Sequence, residues 1–168
     1  KAHAGPTTWS RTLATLGLLR IVYIYRDPRD AMLSAYEYGQ RSIEKGRPNF
    51  FSRLKNFDET LSFMADYVKI WEDWMREKNI LITSYEALLT DYDTEINHLL
   101  SYLGVDVSEE KYQKVIEEYR PGKADTGQQG LHFFKGKIGR YKEAYTNDQQ
   151  AQIQERFGTS LKKMGYEV

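Results

Sequence analysis

Two short apolar runs separated by a long helical pattern constrain the fold of this chain more than any other feature. The runs are LLRIVYIYR at residues 18–26 and NILITSYE at residues 79–86, both rich in β-branched and aromatic residues. Continuous runs of this kind are typical of strands buried in a parallel sheet. Because a long helical crossover joins parallel strands, the sequence predicts an α/β fold, a three-layer sandwich around a central parallel sheet.

Helix signals follow each strand. Asp27 can cap a helix, Pro28 suits its first turn, and Lys45-Gly46 can end it, which predicts a helix over about 28–44. Further helices are predicted at 93–103, 108–119 and 147–157, whereas segment 120–143 shows no clear period and should be functional or disordered. An amphipathic stripe predicts a core-facing helix between the strands, with the members Phe57, Leu61, Met64, Val68, Trp71 and Met75.

The composition limits the partners and the compartment. The 168 residues fit one domain, 1–168, with a core that needs no metal or disulfide, and no metal site is predicted. Basic and acidic residues number 24 each, so no global charge attracts nucleic acid, and an anion site has to be a local cluster. The chain has no cysteine, which suits a reducing compartment, and we expect a cytoplasmic protein. No apolar run reaches the roughly 18 residues of a membrane span.

The turn after the first strand is the strongest candidate for a binding site. Ligands of α/β sheets bind at the carboxyl ends of the strands. This turn offers Arg26, Arg29, the unpaired N–H groups of a helix N-terminus, and Ser34, which together could bind a phosphate. Alternatively, Arg26 could pair with Asp27 or Asp30 while Ser34 only packs, and periodicity alone favours this structural interpretation.

The same residues carry a resemblance to a known family. YIYRDPRDAMLSAY resembles the 3′-phosphate-binding segment of the sulfotransferases that use 3′-phosphoadenosine 5′-phosphosulfate (PAPS). In that segment a strand ends in Arg, and Ser follows eight positions later, as Arg26 and Ser34 do here. The resemblance implies that both residues bind the 3′-phosphate of PAPS, within a P-loop-NTPase-like sulfotransferase fold.

Two further segments strengthen the resemblance. FFKGKIGRYKEAYT, near the C-terminus, resembles the family's second signature, and the resemblance implies that Lys135 and Gly136 bind the 3′-phosphate. Lysine supplies charge there, and glycine lets the backbone approach the phosphate closely. In ITSYEAL, Tyr85 occupies the position of a strand-end tyrosine that faces the adenine in the family.

A fourth segment, KAH at residues 1–3, resembles the Lys-x-His that ends the preceding strand in the family. Sulfuryl transfer depends mainly on positioning and electrostatic stabilisation, but the acceptor's proton also needs a base. The resemblance implies that His3 is this general base and that Lys1 helps to hold donor or acceptor. The implied function is sulfuryl transfer from PAPS to the hydroxyl or amine of a small-molecule acceptor, with 3′-phosphoadenosine 5′-phosphate (PAP) as product and no metal.

The sequence departs from the family pattern at several positions. Phe134 stands where the family has Arg, so one phosphate contact should be lost, and whether Arg140 replaces it stays open. The dimer signature survives only at Lys142 and Thr146, which leaves a homodimer open without indicating one. Because of these departures, a catalytically inactive nucleotide-binding module of the same fold is the alternative. A nucleotide kinase is disfavoured, since the chain lacks Gly-x-x-x-x-Gly-Lys-Ser/Thr.

The stretch GPTTW at residues 5–9 resembles the family's 5′-phosphosulfate loop but is interpreted as a decoy. Trp9 precedes Arg26 by only 17 residues, too few for a helix, a further strand and the Lys-x-His. We therefore expect the first strand and the genuine loop to be missing, with the chain truncated before Lys1.

Overall fold

The structure is a computed structural model that describes residues 4–122 and 137–168. Its elements in chain order are α1 (Thr8–Thr15), β1 (Ile21–Tyr25), α2 (Pro28–Glu44), a 3₁₀ helix (Phe50–Arg53), α3 (Phe57–Trp74), β2 (Ile80–Ser84), α4 (Tyr85–Thr90), α5 (Tyr92–Leu103), α6 (Glu110–Glu118), α7 (Tyr141–Ala144) and α8 (Asn147–Lys163).

The two predicted strands pair in parallel. Their register runs from Ile21 opposite Ile80 to Tyr25 opposite Ser84, so the carboxyl ends of both strands lie at one edge of the sheet. This confirms the parallel pairing that the two apolar runs predict. Ile24 is nevertheless 51% exposed, so β1 is less buried in the described residues than a continuous apolar run predicts.

The described residues form two compact units. The sheet unit consists of residues 7–25, 77–122 and 137, and the helical unit consists of residues 4–6, 26–76 and 138–168. The prediction of one domain over 1–168 stays a prediction. Within the described residues, no helix is both long enough and apolar enough to cross a membrane.

The sheet unit is tied together by buried and half-buried polar contacts as well as by strand pairing. The Tyr102 hydroxyl accepts from the Ile21 N–H at 3.0 Å and donates to the Asn79 carbonyl at 3.2 Å, which joins the starts of the two strands. The buried Thr83 donates its hydroxyl to Glu95 of α5. Helix α5 therefore fixes both ends of the sheet through its own side chains.

The helical unit contains the core that the amphipathic stripe predicts. Leu61, Met64, Val68 and Trp71 of α3 are all buried, whereas Phe57 is half-buried and Met75 is 44% exposed. The stripe is therefore confirmed along the middle of α3 and fails at its C-terminal end. Helix α8 packs against α3 and adds its own buried side chains, which are Ile153, Phe157 and Leu161.

Helix α2 spans the residues that its capping signals predict. The Asp27 carboxylate accepts from the Arg29 N–H at 2.9 Å, Pro28 occupies the first turn, and Gly46 follows with a φ of 64°. A side-chain cap, a proline that needs no N–H partner and a left-handed glycine are the standard signals for helix ends. This helix begins directly after β1, and it carries the candidate site.

Candidate functional site

Arg26 and Ser34 lie side by side at the start of α2. Arg26 follows β1 in the chain, and its Nη1 donates to Ser34 Oγ at 3.1 Å. Eight residues span a little more than two helical turns, which brings a residue before the helix back beside one on its second turn. The structure thus brings together the two side chains that the sequence pattern pairs.

The pair retains the capacity to bind an anion. The Arg26 side chain is 22% exposed, and a guanidinium carries five N–H donors, of which one points to Ser34. Ser34 accepts from Arg26 and therefore still has its own O–H to donate. A charged fork beside a hydroxyl donor is a donor set suited to a phosphate.

The structural alternative is also present. Arg26 Nη2 lies 3.7 Å from Asp30 Oδ2, within ion-pair distance but longer than a hydrogen bond. The Asp30 carboxylate therefore attracts the guanidinium without occupying it as a bidentate partner would. Arg26 is oriented by Asp30 and Ser34 on one side, and its charge remains partly exposed.

The helix N-terminus contributes less than the sequence predicts. The Asp27 side chain takes the Arg29 N–H, and Pro28 has no N–H to offer. The carboxylate of Asp27 thus occupies the position at which a helix N-terminus binds an anion. The expectation of a row of unpaired N–H groups at this turn is wrong for these residues.

The suggestion that Arg29 contacts a phosphate is also wrong for this structure. Its guanidinium is buried, donates to both Asp27 carboxylate oxygens at 2.7–3.2 Å and to the Glu167 carbonyl at 2.8 Å, and stacks 4.2 Å from the centre of the Tyr141 ring. Burial lowers the pKa of Arg29, but the hydrogen bond and charge of Asp27 raise it above its ordinary value overall. Arg29 therefore holds the C-terminal residues against α2.

Asp30 is the residue whose importance the sequence pattern conceals most. Its side chain is 1% exposed, and its two oxygens accept from the backbone N–H groups of Gly139 at 2.7 Å and of Tyr141 at 3.0 Å. These partners lie more than a hundred residues further along the chain, in the second signature segment. Asp30 thus connects the turn that carries Arg26 with that segment.

Arg140 has a partner of its own. It donates to the Glu37 carboxylate of α2, and its side chain is 16% exposed. Nearby, burial first, and then the charges of Asp30 and Glu37, raise the pKa of Tyr145. The question that the sequence leaves open therefore has a structural answer, since Arg140 pairs with Glu37.

Tyr85 belongs to the sheet unit. It is the first residue of α4, directly after β2, and it is half-buried, while the Ser84 hydroxyl caps the helix by accepting from the Ala87 N–H at 3.0 Å. This places Tyr85 at the carboxyl edge of the sheet, as the sequence predicts. Lys1, His3, Lys135 and Gly136 lie outside the described residues, and their roles stay predictions.

Comparisons with known proteins identify relatives over most of the chain. The sequence profile of the sulfotransferase domain matches residues 12–165. The amine sulfotransferase of Oryctolagus cuniculus is 26% identical over 106 residues, which are 59% of this chain and 34% of that protein. Cytosolic sulfotransferase 1 of Danio rerio is 23% identical over 161 residues, which are 85% of this chain and 54% of that protein.

The fold has a solved counterpart. A crystal structure of retinol dehydratase in a complex with retinol and PAP superposes with a TM-score of 0.66 at 22% identity, covering 92% of this chain and 50% of that one. The chain thus spans from about a third to about half of the length of these proteins. Because the domain profile covers nearly the whole sequence and the fold agrees, the chain belongs to the sulfotransferase family and has its α/β fold with a parallel sheet.

Proposed function

We propose that the protein transfers a sulfuryl group from PAPS to the hydroxyl or amine of a small-molecule acceptor. The observation that carries this proposal is the hydrogen bond between Arg26 and Ser34, at 3.1 Å, at the start of α2. Two donors that are already in contact need little reorganisation to bind one phosphate, and this preorganisation strengthens binding. PAPS supplies the sulfuryl group and the phosphate leaving group.

The residues of this chain have separate tasks in the proposal. Arg26 and Ser34 hold the 3′-phosphate, with Lys135 and Gly136 as further contacts, and Tyr85 faces the adenine. His3 accepts the proton of the acceptor, because an imidazole with a reference pKa near 6.5 is partly deprotonated at neutral pH. Lys1 helps to hold donor or acceptor.

The named relatives support the acceptor class and the compartment. One is called an amine sulfotransferase, another a cytosolic sulfotransferase, and the retinol dehydratase structure contains retinol and PAP. We therefore propose a small molecule with a hydroxyl or amine as acceptor and a cytoplasmic location. Which acceptor is used depends on loops, of which residues 40–56 and 120–133 are the candidates.

The test measures PAP affinity by calorimetry in the natural protein that contains this chain. Arg26→Ala should weaken binding by about 1.5–3 kcal/mol, the range for a charge-assisted contact, and Ser34→Ala by less. Arg76→Ala serves as the matched control, because Arg76 carries the same charge, is 72% exposed and pairs with Asp73 at the end of α3. The control should bind PAP as the wild type does.

The outcomes separate the proposal from its alternative. Unchanged PAP affinity in both the Arg26 and the Ser34 variants would remove the 3′-phosphate assignment. PAP binding with no sulfuryl transfer from PAPS to any hydroxyl or amine acceptor would favour the inactive nucleotide-binding module.

A further inference from the structure

We propose that Asp30 is a positioning residue for the nucleotide's 3′-phosphate, which holds Arg26 and the C-terminal signature segment in one arrangement. This inference rests on the proposed function. Asp30 is not itself a phosphate ligand, since a carboxylate repels a phosphate. It acts through the groups that it binds.

The first support is the way in which both carboxylate oxygens are used. Oδ2 accepts from the Gly139 N–H at 2.7 Å, and Oδ1 accepts from the Tyr141 N–H at 3.0 Å. Gly139 has a φ of 77°, a conformation that glycine adopts readily and that lets nearby N–H groups converge on one anion. A buried carboxylate held by two backbone donors has few alternative positions.

The second support is the contact on the other side of the same carboxylate. Oδ2 also lies 3.7 Å from Arg26 Nη2, and Arg26 donates to Ser34. Gly139 follows Gly136, a predicted phosphate contact, by three residues. One side chain therefore contacts both segments to which the 3′-phosphate is assigned, and a shift of about 1 Å between them would misplace the donors.

The charge of Asp30 gives the inference a test with opposite signs. If Asp30 acted only as a negative charge near Arg26, its removal would strengthen anion binding, because the remaining field would be more positive. If Asp30 positions the site, its removal weakens PAP binding despite that gain. The sign of the change therefore distinguishes the two roles.

The experiment compares Asp30→Asn with Asp27→Asn in the natural protein that contains this chain. Both variants remove one carboxylate from the same helix turn without a change in volume, but Asp27 binds Arg29 and does not contact Gly139 or Tyr141. Calorimetry with PAP, well below the unfolding temperature of each variant, should show affinity weakened about tenfold or more for Asp30→Asn, because an amide cannot accept both N–H groups. Asp27→Asn should bind PAP as tightly as the wild type or more tightly.

Adenosine 5′-phosphate, which has no 3′-phosphate, is the second probe. Its affinity should change by less than about twofold in Asp30→Asn, because the positioned donors do not reach it. Equal weakening for both nucleotides would make Asp30 a structural residue and overturn the inference. Unchanged or tighter PAP binding in Asp30→Asn would overturn it as well.

A second variant keeps the test valid if Asp30→Asn does not fold. Gly139→Ala leaves the carboxylate in place and has open space for its Cβ, but it strains the positive φ from the other side of the contact. It should weaken PAP more than adenosine 5′-phosphate, and equal effects on both would refute the positioning role. If the wild-type protein does not bind PAP, the proposed function fails and the inference fails with it, whereas wild-type binding with an insensitive Asp30 refutes the inference alone.

Discussion

The contact between α2 and the 3₁₀ helix provides a stability prediction whose size follows from the structure. Gly39 lies buried inside α2, and an ideal Cβ at this position would sit 2.3 Å from the Phe51 carbonyl oxygen and 2.6 Å from its carbon. Both neighbours are backbone atoms, so no side-chain rotation removes the overlap. Gly39→Ala therefore has to move the 3₁₀ helix away from α2 by about 1 Å, relative to an ordinary contact of about 3.5 Å.

Two opposing effects decide the sign. Alanine in a helix interior is more favourable than glycine by about 1 kcal/mol. Overpacking of a tight contact costs about 1–3 kcal/mol, and the displaced backbone would also strain the hydrogen bond from the Ser52 hydroxyl to the Gly39 carbonyl, which measures 3.2 Å. We expect Gly39→Ala to lower the free energy of unfolding by about 1–2 kcal/mol.

The chain offers a matched control for the same substitution. Gly158 is also buried in a helix, α8, but a Cβ there would meet only side-chain atoms, of Gln154 at 3.4 Å and of Val168 at 3.5 Å. Gly158→Ala should therefore raise the free energy of unfolding by about 0.5–1 kcal/mol. Urea denaturation followed by circular dichroism measures both variants. An equal gain of stability in the two variants would refute the close-contact argument, because only helix propensity would then matter.

Three further predictions concern other contacts. Trp74→Phe should lower the free energy of unfolding by about 1 kcal/mol, because it removes the 3.0 Å hydrogen bond from Trp74 Nε1 to the Ala4 carbonyl; urea denaturation measures this loss. Hydrogen bonds from Arg120 lower the pKa of Asp93, so the pair stabilises the fold above the ordinary pKa of 3.8 and loses this effect as the pH falls through the lowered value; Arg120→Gln should return the Asp93 pKa, measured by NMR, to its ordinary range. His3→Ala should reduce turnover by about 10²–10⁴ with PAP affinity unchanged, and the wild-type rate should rise with pH through the His3 pKa; a profile that stays flat while chemistry limits the rate would exclude this base.

The sequence predicts those elements whose signals are local. Asp27, Pro28 and Gly46 mark both ends of α2, and the structure places the helix between them. The helix predicted over 147–157 instead continues to Lys163, because Leu161 and Met164 extend its buried face beyond the predicted end. The short helix α1 has no counterpart among the predicted elements, since it has no buried residue and therefore no apolar period to detect.

The stretch that resembles a phosphosulfate loop is part of this unpredicted helix. The Thr7 hydroxyl caps α1 by accepting from the Ser10 N–H at 3.1 Å, and Ser10 returns a hydroxyl contact to the Thr7 backbone. Trp9, on the first turn, is 77% exposed. The threonine and tryptophan of GPTTW thus have ordinary roles at a helix start, in agreement with the interpretation of this stretch as a decoy.

The candidate site could be predicted only as far as its geometry is local. Arg26 and Ser34 are eight residues apart on one helix start, so helical spacing is enough to bring them together. The fate of Arg29 depends on the Glu167 carbonyl and the Tyr141 ring, which no local pattern connects with it. The partners of Asp30 are equally remote, and an acidic residue in the first helical turn looks like an ordinary response to the helix dipole.

These long-range contacts determine which charge of the turn remains for a ligand. Asp27 neutralises Arg29 through a bidentate pair in which both side chains are about 10% exposed or less. Asp30 shares its charge between two backbone donors and Arg26, which it approaches only to 3.7 Å. The turn carries two arginines and two aspartates and is neutral in sum, yet Arg26 is the cation among these four that keeps a partly exposed face. Affinity for an anion at this turn therefore depends on how the two aspartates divide their contacts, and the sign of the local field follows from that division because the count of charges is balanced.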